Sequence, residues 1–82
     1  MSTEHYRFDV SPEFGILAEN VKNFRNKKGL TQRQLGFNAG ISSAIISGIE
    51  NATGNPSVLT VFRLAEALDV SLADLLTDYK NM

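Results

Sequence analysis

Residues 29–51, GLTQRQLGFNAGISSAIISGIEN, hold two short helical patterns joined at a glycine. Thr31 and Gln34 have the spacing of a capping box, which predicts a helix that begins at Thr31 and ends at Gly40. A second helix is predicted to follow from Ser42. Because glycine readily takes positive φ, this stretch predicts two helices connected by a tight turn.

Gly36 lies inside the first of these helices, where glycine costs about 1 kcal/mol relative to alanine. A close crossing by the next helix explains a small residue here, and the alternative is a simple helix end. Apolar residues on the inner side of the second helix, Ile41, Ile46 and Ile49, complete the pattern of a helix-turn-helix. We expect alanine to be tolerated at Gly36 and leucine to overpack.

The rest of the chain is also predicted to be helical. Apolar spacing and capping residues predict a first helix over about 11–28, a fourth over 57–68 and a fifth from Ser71. The predicted inner face of the fourth helix is Val58, Val61, Leu64, Ala65 and Leu68. The fold class is therefore all-α, a five-helix domain over residues 11–80. A short N-terminal arm over residues 1–10 precedes it, in which apolar and polar residues alternate, leaving a paired strand as the alternative.

Composition limits the functions that this chain can have. Its 82 residues, 43% hydrophobic and 21% charged, fit one globular domain. It has no cysteine and one histidine, His5, so no catalytic Cys/His or Ser/His/Asp set and no thiolate metal site can be drawn. No apolar run reaches the ~20 residues of a membrane span. We expect a cytoplasmic protein without cofactor, metal or enzymatic activity.

The net charge of −1 hides a segregation along the sequence. Residues 1–19 and 64–82 each carry a net charge of −3, whereas residues 20–63 carry +5. A basic centre between acidic ends predicts one phosphate-facing surface, with chance fluctuation in a small protein as the alternative.

Several segments in this order resemble the Cro/lambda-repressor-type helix-turn-helix family: Gly29–Gly36, Ala39–Ser42, Ile46–Asn51, Asn55–Ser57 and the closing Val70–Leu76. The resemblance covers about residues 16–76. It implies that the second helix crosses the DNA backbone and that the third helix lies in the major groove. The function implied is a regulator of transcription that binds double-stranded DNA.

The resemblance and the charge pattern together indicate which residues meet DNA. The positions implied to read base edges are Ser43, Ala44, Ser47 and Gly48. The expected backbone contacts are Gln32, Arg33, Lys27, Lys28, Ser42, Thr53, Asn55 and Ser57. Arg25 and Glu50 fall where many family members form an internal ion pair. Glu50 is the only acid between residues 20 and 63, and if it is buried it needs a cationic partner.

The chain departs from the family at two points. No base-reading position carries Arg, Lys, Asn or Gln, the residues best able to make bidentate contacts, so direct readout is expected to be modest. Specificity then depends on DNA shape, half-site spacing, Arg33 or the arm. Ala52 stands where glycine is usual, which leaves the geometry of that turn open.

Apolar residues near the end of the chain predict a dimer. They recur at helical spacing and are Leu72, Leu75, Leu76 and Tyr79. We expect a two-fold homodimer on a palindromic operator through the fifth helix, with monomer core as the alternative for these residues. A phage repressor, a restriction–modification controller or an autorepressor fits this interpretation. The alternative function is a protein-interaction module, such as an antitoxin with a toxin partner, that keeps the fold but binds DNA weakly or not at all.

Overall fold

The computed structural model describes residues 12–81, and within that range it is all-helical. The helices are α1 Pro12–Lys27, α2 Gln32–Ala39, α3 Ser43–Glu50, α4 Val58–Leu68 and α5 Leu72–Leu76, followed by a 3-10 turn at Tyr79–Asn81. The prediction of an all-α, five-helix fold is confirmed. The predicted arm over residues 1–10, with His5, and the predicted first N-cap Ser11 lie outside the described residues.

Helices α2 to α5 each begin at a hydroxyl-bearing N-cap residue: Thr31, Ser42, Ser57 and Ser71. Each hydroxyl oxygen accepts a hydrogen bond from the backbone N–H three residues later, at 3.0–3.2 Å. Thr31 with Gln34 completes the predicted capping box, and Ser71 with Asp74 forms a second one. Since a cap of this kind stabilises a helix by about 1 kcal/mol, these helix starts are determined locally.

The four longer helices end in one hydrogen-bond pattern around a residue with positive φ. These residues are Gly29 (φ 70°), Gly40 (71°), Ala52 (58°) and Asp69 (59°). Each donates its N–H to the carbonyl three residues back, and the next residue donates to the carbonyl five residues back, which is the Schellman motif. Ala52 therefore adopts the left-handed conformation although it stands where glycine is usual, and the turn is kept. It does so at the cost of about 1–2 kcal/mol that a Cβ adds in this conformation.

Gly36 is buried where α2 meets the turn into α3. A Cβ added there would lie well inside 3.0 Å of the backbone carbonyl oxygen of Ile41 and 3.4 Å from the backbone nitrogen of Ser43. The prediction of a close approach at Gly36 is confirmed. The expectation that alanine is tolerated is wrong, because the neighbouring atoms belong to a backbone turn that cannot move aside as a flexible side chain can.

The hydrophobic core draws side chains from all five helices. α1 packs on α3 and α5, and α2 packs on α3 and α4. The largest fully buried side chains are Val21, Leu35, Ile46, Leu64, Leu68 and Leu75. Val58 is 70% exposed, so its predicted place on the inner face of α4 is wrong. Over residues 12–81 no element covers Val58, and the buried face of α4 begins at Val61.

The fifth helix is shorter than predicted, because it ends at Leu76 and leaves Tyr79 in the separate 3-10 turn. Asn20 of α1, which is 5% exposed, accounts for this end. Its side-chain Nδ2 donates to the carbonyl oxygens of Asp74, Leu75 and Thr77 at 3.4, 2.8 and 2.7 Å. These carbonyls are the ones that the end of a helix leaves without partners, so one buried amide fixes the end of α5 onto α1.

Candidate nucleic-acid interface

The outer surface of α3 carries all four residues predicted to read base edges. Ser43 and Ala44 are exposed, and Ser47 and Gly48 are partly exposed. The opposite face of α3 is held in the protein by three buried residues, Ile46, Ile49 and Glu50. The helix therefore presents a surface of small side chains to solvent, with no long side chain among the four positions.

A shallow groove of about 370 Å³ lies between α3 and the loop over residues 51–57. Ala44 and Gly48 line it from α3, and Thr53, Asn55 and Ser57 line it from the loop. The Thr53 hydroxyl donates to the carbonyl of Gly48 at 3.3 Å and so ties the loop to the helix. Two predicted base-reading residues and three predicted backbone contacts thus share one continuous surface.

The serine hydroxyls on this surface keep their donor capacity. Ser42 Oγ accepts from the N–H of Ile45 at 3.2 Å, and Ser47 Oγ accepts from Asn51 Nδ2 at 3.4 Å. Among the described residues, none hydrogen-bonds to the hydroxyl of Ser43. Because a hydroxyl has one proton to donate besides its acceptor lone pairs, each of the three serines can still donate to a phosphate or a base edge.

Arg25 and Glu50 form an ion pair that joins α1 to the last residue of α3. Arg25 Nε lies 2.6 Å from Glu50 Oε2, and Arg25 Nη2 donates to Oε1 at 2.9 Å. The two side chains are 13% and 3% exposed. Gln32, the first residue of α2, also donates to Glu50 Oε1 at 3.2 Å, and Arg25 Nη1 donates to the carbonyl of Leu30 at 2.7 Å. This network fixes α3 relative to α1 and to the start of α2.

Opposing effects act on the Glu50 carboxyl. Burial alone raises its pKa. The hydrogen bonds from Arg25 and Gln32, with the charges of Arg25 and Lys22, outweigh burial and hold the pKa below its ordinary value. Hydrogen bonding to Glu50 is the main reason that the pKa of Arg25 is raised. Both groups are therefore charged at neutral pH.

Among the basic residues predicted to contact DNA, Lys27 ends α1, Lys28 follows it and Arg33 lies on α2, and the single phosphate-facing surface stays a prediction. Arg33 lines an open depression of about 530 Å³ on the outer side of α2, and Lys28 is exposed after α1. The ammonium of Lys27 stands 6.0 Å from the centroid of the Phe24 ring, in a groove shared with Tyr79 of the C-terminal turn. The place of Lys27 among the contacts to the DNA backbone stays a prediction.

The residues predicted for a dimer interface separate into two groups. Leu75 is fully buried, and Leu72 packs against the core, so Leu75 is corrected to a residue of the monomer core. Leu76 and Tyr79 remain 54% and 46% exposed. Tyr79 also contacts Phe24 edge to face, with a distance of 6.3 Å between ring centroids.

Sequence reasoning missed several exposed apolar side chains. Phe37 on α2 is 87% exposed, and Ile45 on α3 is 50% exposed. Helical spacing could have identified Phe37 as exposed. It lies two residues from both Leu35 and Ala39, and therefore on the opposite face of α2. Further exposed apolar residues lie on α4 and are Val58, Leu59 and Phe62.

Two other kinds of site are absent from residues 12–81. No helix there is long and apolar enough to cross a membrane. The same residues contain no cluster of His, Cys, Asp or Glu that could hold a metal ion.

Comparison with known proteins gives consistent similarities. A helix-turn-helix family profile matches residues 21–75. The chain is 37% identical over 62 residues to the uncharacterized HTH-type transcriptional regulator y4dJ of Sinorhizobium fredii, covering 76% of this chain and 80% of that protein. It is 40% identical over 62 residues to the control protein C.SmaI of Serratia marcescens, covering 76% and 74%. The crystal structure of the restriction-modification controller protein C.AhdI from Aeromonas hydrophila superposes with a TM-score of 0.76 and 28% identity, covering 79% of this chain and 98% of that one.

Proposed function

The chain belongs to the Cro/repressor-type helix-turn-helix family of DNA-binding transcriptional regulators, and from this we propose that it binds a palindromic operator as a homodimer. The observation that carries the proposal is the outward face of α3. Its four predicted base-reading positions carry small side chains, and it is continuous with the loop over residues 51–57. A helix with such a face can enter the major groove closely while the loop follows the phosphates.

In this proposal the base edges are read by Ser43, Ala44, Ser47 and Gly48. The serine hydroxyls hydrogen-bond to base edges without selecting one base, and the methyl group of Ala44 contacts a thymine methyl. Gly48 allows the DNA to approach the helix backbone. Direct readout of this kind discriminates weakly, so deformation of the operator supplies part of the specificity.

The backbone contacts proposed are mostly uncharged. Thr53, Asn55 and Ser57 contact phosphates from the loop, and Gln32 with Ser42 contacts them from the helix starts. Arg25 is held by Glu50 and is not available to phosphates. In this proposal each protomer contributes two charged contacts to the DNA backbone, Arg33 and Lys28.

The proposal is tested by selecting bound sequences from random duplexes and measuring affinity by mobility shift. Ala44→Asp places a carboxylate on the exposed face of α3, and we expect it to weaken binding more than tenfold because phosphates and base acceptors repel it. Ala73→Asp makes the same change at an exposed position of α5 and is expected to keep wild-type affinity. An enriched palindrome supports the proposal, whereas equal affinity for Ala44→Asp and the wild type contradicts it.

The second candidate is an interaction module that acts on a protein partner. The observation that favours it is Phe37, whose side chain is 87% exposed on the outer side of α2. The same selection distinguishes the two functions, because a module of this kind enriches no sequence.

A further inference from the structure

One large apolar side chain, that of Ile45, lies on the solvent side of α3. The helix carries three isoleucines, and two of them, Ile46 and Ile49, are 0% and 3% exposed in the core, whereas Ile45 is 50% exposed. Ile45 and Gly48 are three residues apart and are therefore neighbours on the surface of the helix. Ile45 thus stands beside the positions proposed to read base edges, although the family resemblance did not include it.

Ile45 lines the groove between α3 and the loop over residues 51–57. Its neighbours on the α3 side of this groove are Ala44 and Gly48, and the loop lies across from them together with Thr60 of α4. Ile45 therefore lies at the edge of the outward face of α3 that is nearest to the loop, and the loop carries the proposed phosphate contacts.

The major groove of DNA offers one apolar group that can cover this side chain. Among the groups that the four base pairs present there, the C5 methyl of thymine is apolar, and the others are hydrogen-bond donors and acceptors. In the pyrimidine ring, C5 is one bond closer than C4 to the nitrogen that bears the sugar, so the methyl lies nearer to the backbone of its own strand than the group on C4 does. A side chain between a base-reading face and a phosphate-contacting loop is therefore placed to meet a C5 methyl.

From this geometry we propose that Ile45 reads the C5 methyl group of one pyrimidine in each half-site and is a further specificity-determining residue of the DNA interface. This rests on the DNA-binding function proposed above and names the chemical group recognised at one base pair. Thymine supplies that methyl group in ordinary DNA. Uracil lacks the methyl but keeps the hydrogen-bonding edge of thymine, and 5-methylcytosine has the methyl with the hydrogen-bonding edge of cytosine. These bases separate a methyl contact from hydrogen bonding.

The contact of Ile45 is distinct from the thymine contact proposed for Ala44. The two residues are about 100° apart around the helix axis, so they face different base pairs. The side chain of Ala44 is one carbon, whereas that of Ile45 has four carbons and can enclose a methyl group. Removal of a buried methyl group changes affinity about fourfold, and this is the effect expected at the base that Ile45 contacts.

Mobility shift with the selected operator tests the proposal, with the thymines of one half-site replaced singly by uracil. For the wild type we expect uracil to weaken binding about fourfold at the thymine that Ile45 contacts. Ile45→Ala is expected to abolish this difference at that thymine, whereas Ala44→Gly is expected to keep it there. Leu59→Ala is the matched control, because it shortens an aliphatic side chain of similar exposure (59%) outside the groove, and it is expected to keep the fourfold ratio.

Methylated cytosine gives a second test at the same position. We expect the wild type to bind a duplex with 5-methylcytosine about fourfold more tightly than one with cytosine, and Ile45→Ala to bind the two equally. Each test compares two duplexes on one protein preparation, so partial unfolding of a variant cancels from the ratio. Equal affinity of the wild type for thymine and uracil at every position overturns the proposal, and so does a methyl dependence that Ile45→Ala retains at every position.

The outcomes separate this inference from the function on which it rests. If the operator is bound and Ala44→Asp abolishes binding, but no methyl effect depends on Ile45, DNA binding through α3 stands and the role of Ile45 is wrong. If no duplex is enriched or bound by the wild type, both proposals fail.

Discussion

Glu50, the last residue of α3, receives hydrogen bonds from Arg25 near the end of α1 and from Gln32 at the start of α2. One buried carboxylate therefore joins three elements at the point where α3 ends. The angle between α2 and α3 depends on this group as well as on the Gly40 turn. Three predictions concern stability at this junction and at the two turns beside α3.

The first prediction concerns Glu50→Gln. Because the substitution leaves the Arg25 charge without its partner in a site where the acid is 3% exposed, we expect a loss of about 3 kcal/mol in the free energy of unfolding. Urea denaturation at neutral pH measures it. Glu66→Gln is the control, an exposed acid whose loss is expected to change stability by less than about 0.5 kcal/mol.

The difference in the free energy of unfolding between the wild type and Glu50→Gln also depends on pH in a defined direction. The pKa of Glu50 is lowered in the folded state, so its contribution is present above the unfolded-state value of about 4.3 and is lost as pH falls through the folded value. The stability gap is therefore expected to be constant from about pH 7 to about pH 5 and to close below about pH 4. A gap that persists well below the folded pKa would show that the glutamine substitution is harmful for a reason other than charge.

The second prediction compares two helical glycines. Gly36→Ala forces a Cβ against the Ile41 carbonyl, and we expect about 1–3 kcal/mol of destabilisation despite the better helix propensity of alanine. At Gly48 the nearest atoms to an added Cβ are 3.8–3.9 Å away, so Gly48→Ala is expected to stabilise the protein by up to about 1 kcal/mol. Thermal unfolding followed by circular dichroism gives both values. Equal melting temperatures for the two variants would contradict the close approach at Gly36.

The third prediction concerns Ala52, whose φ of 58° is unfavourable for a residue with a Cβ. Ala52→Gly removes a cost of about 1–2 kcal/mol and adds about 0.5–1 kcal/mol of unfolded-state entropy, so a net gain of up to about 1.5 kcal/mol is expected. Asp69→Gly is the matched control at φ 59°, and it is expected to gain less because aspartate tolerates this conformation better than alanine. A lower melting temperature for Ala52→Gly would mean that the alanine methyl group makes a contact worth more than the strain.

Local sequence signals predicted the helices well and the surfaces poorly. Caps such as Thr31 and Ser71 act within one turn of helix, so their partners can be read from spacing alone. The end of α5 could not be predicted in this way, because it is set by Asn20, which is 55 positions from Leu75 in the sequence. The exposure of Val58 likewise depends on how the other helices pack against α4. The direction of the Lys27 side chain depends on the rotation of α1 about its own axis. The family resemblance predicted five residues that line one groove of the structure, but it held no information on these tertiary details.

The fourth prediction concerns Asn20. Asn20→Ala removes the donor to three carbonyl oxygens at the end of α5, and we expect a loss of about 2–3 kcal/mol. Asn20→Asp is expected to be worse at neutral pH, because a carboxylate has no proton to donate and its charge faces carbonyl oxygens. Unfolding measured at neutral and acid pH separates the two variants, since a protonated aspartic acid recovers one donor. If Asp and Ala are equally stable at both pH values, Asn20 does not make these bonds in solution.

The final prediction concerns the salt dependence of DNA binding. Arg25 is neutralised by Glu50 and Lys27 lies toward α5, so Arg33 and Lys28 are the charged contacts that remain from each protomer. Four phosphates neutralised in a dimer give a slope of log K against log salt of about −3.6. Arg33→Ala removes two of these contacts and is expected to reduce the slope by about 2, with an equal loss of affinity for all sequences. Lys27→Ala removes the same charge from the groove beside Phe24 and Tyr79, and its slope is expected to match the wild type. If Lys27→Ala reduces the slope as much as Arg33→Ala, the DNA lies against α1 and α5, and the proposed orientation of α3 in the major groove is wrong.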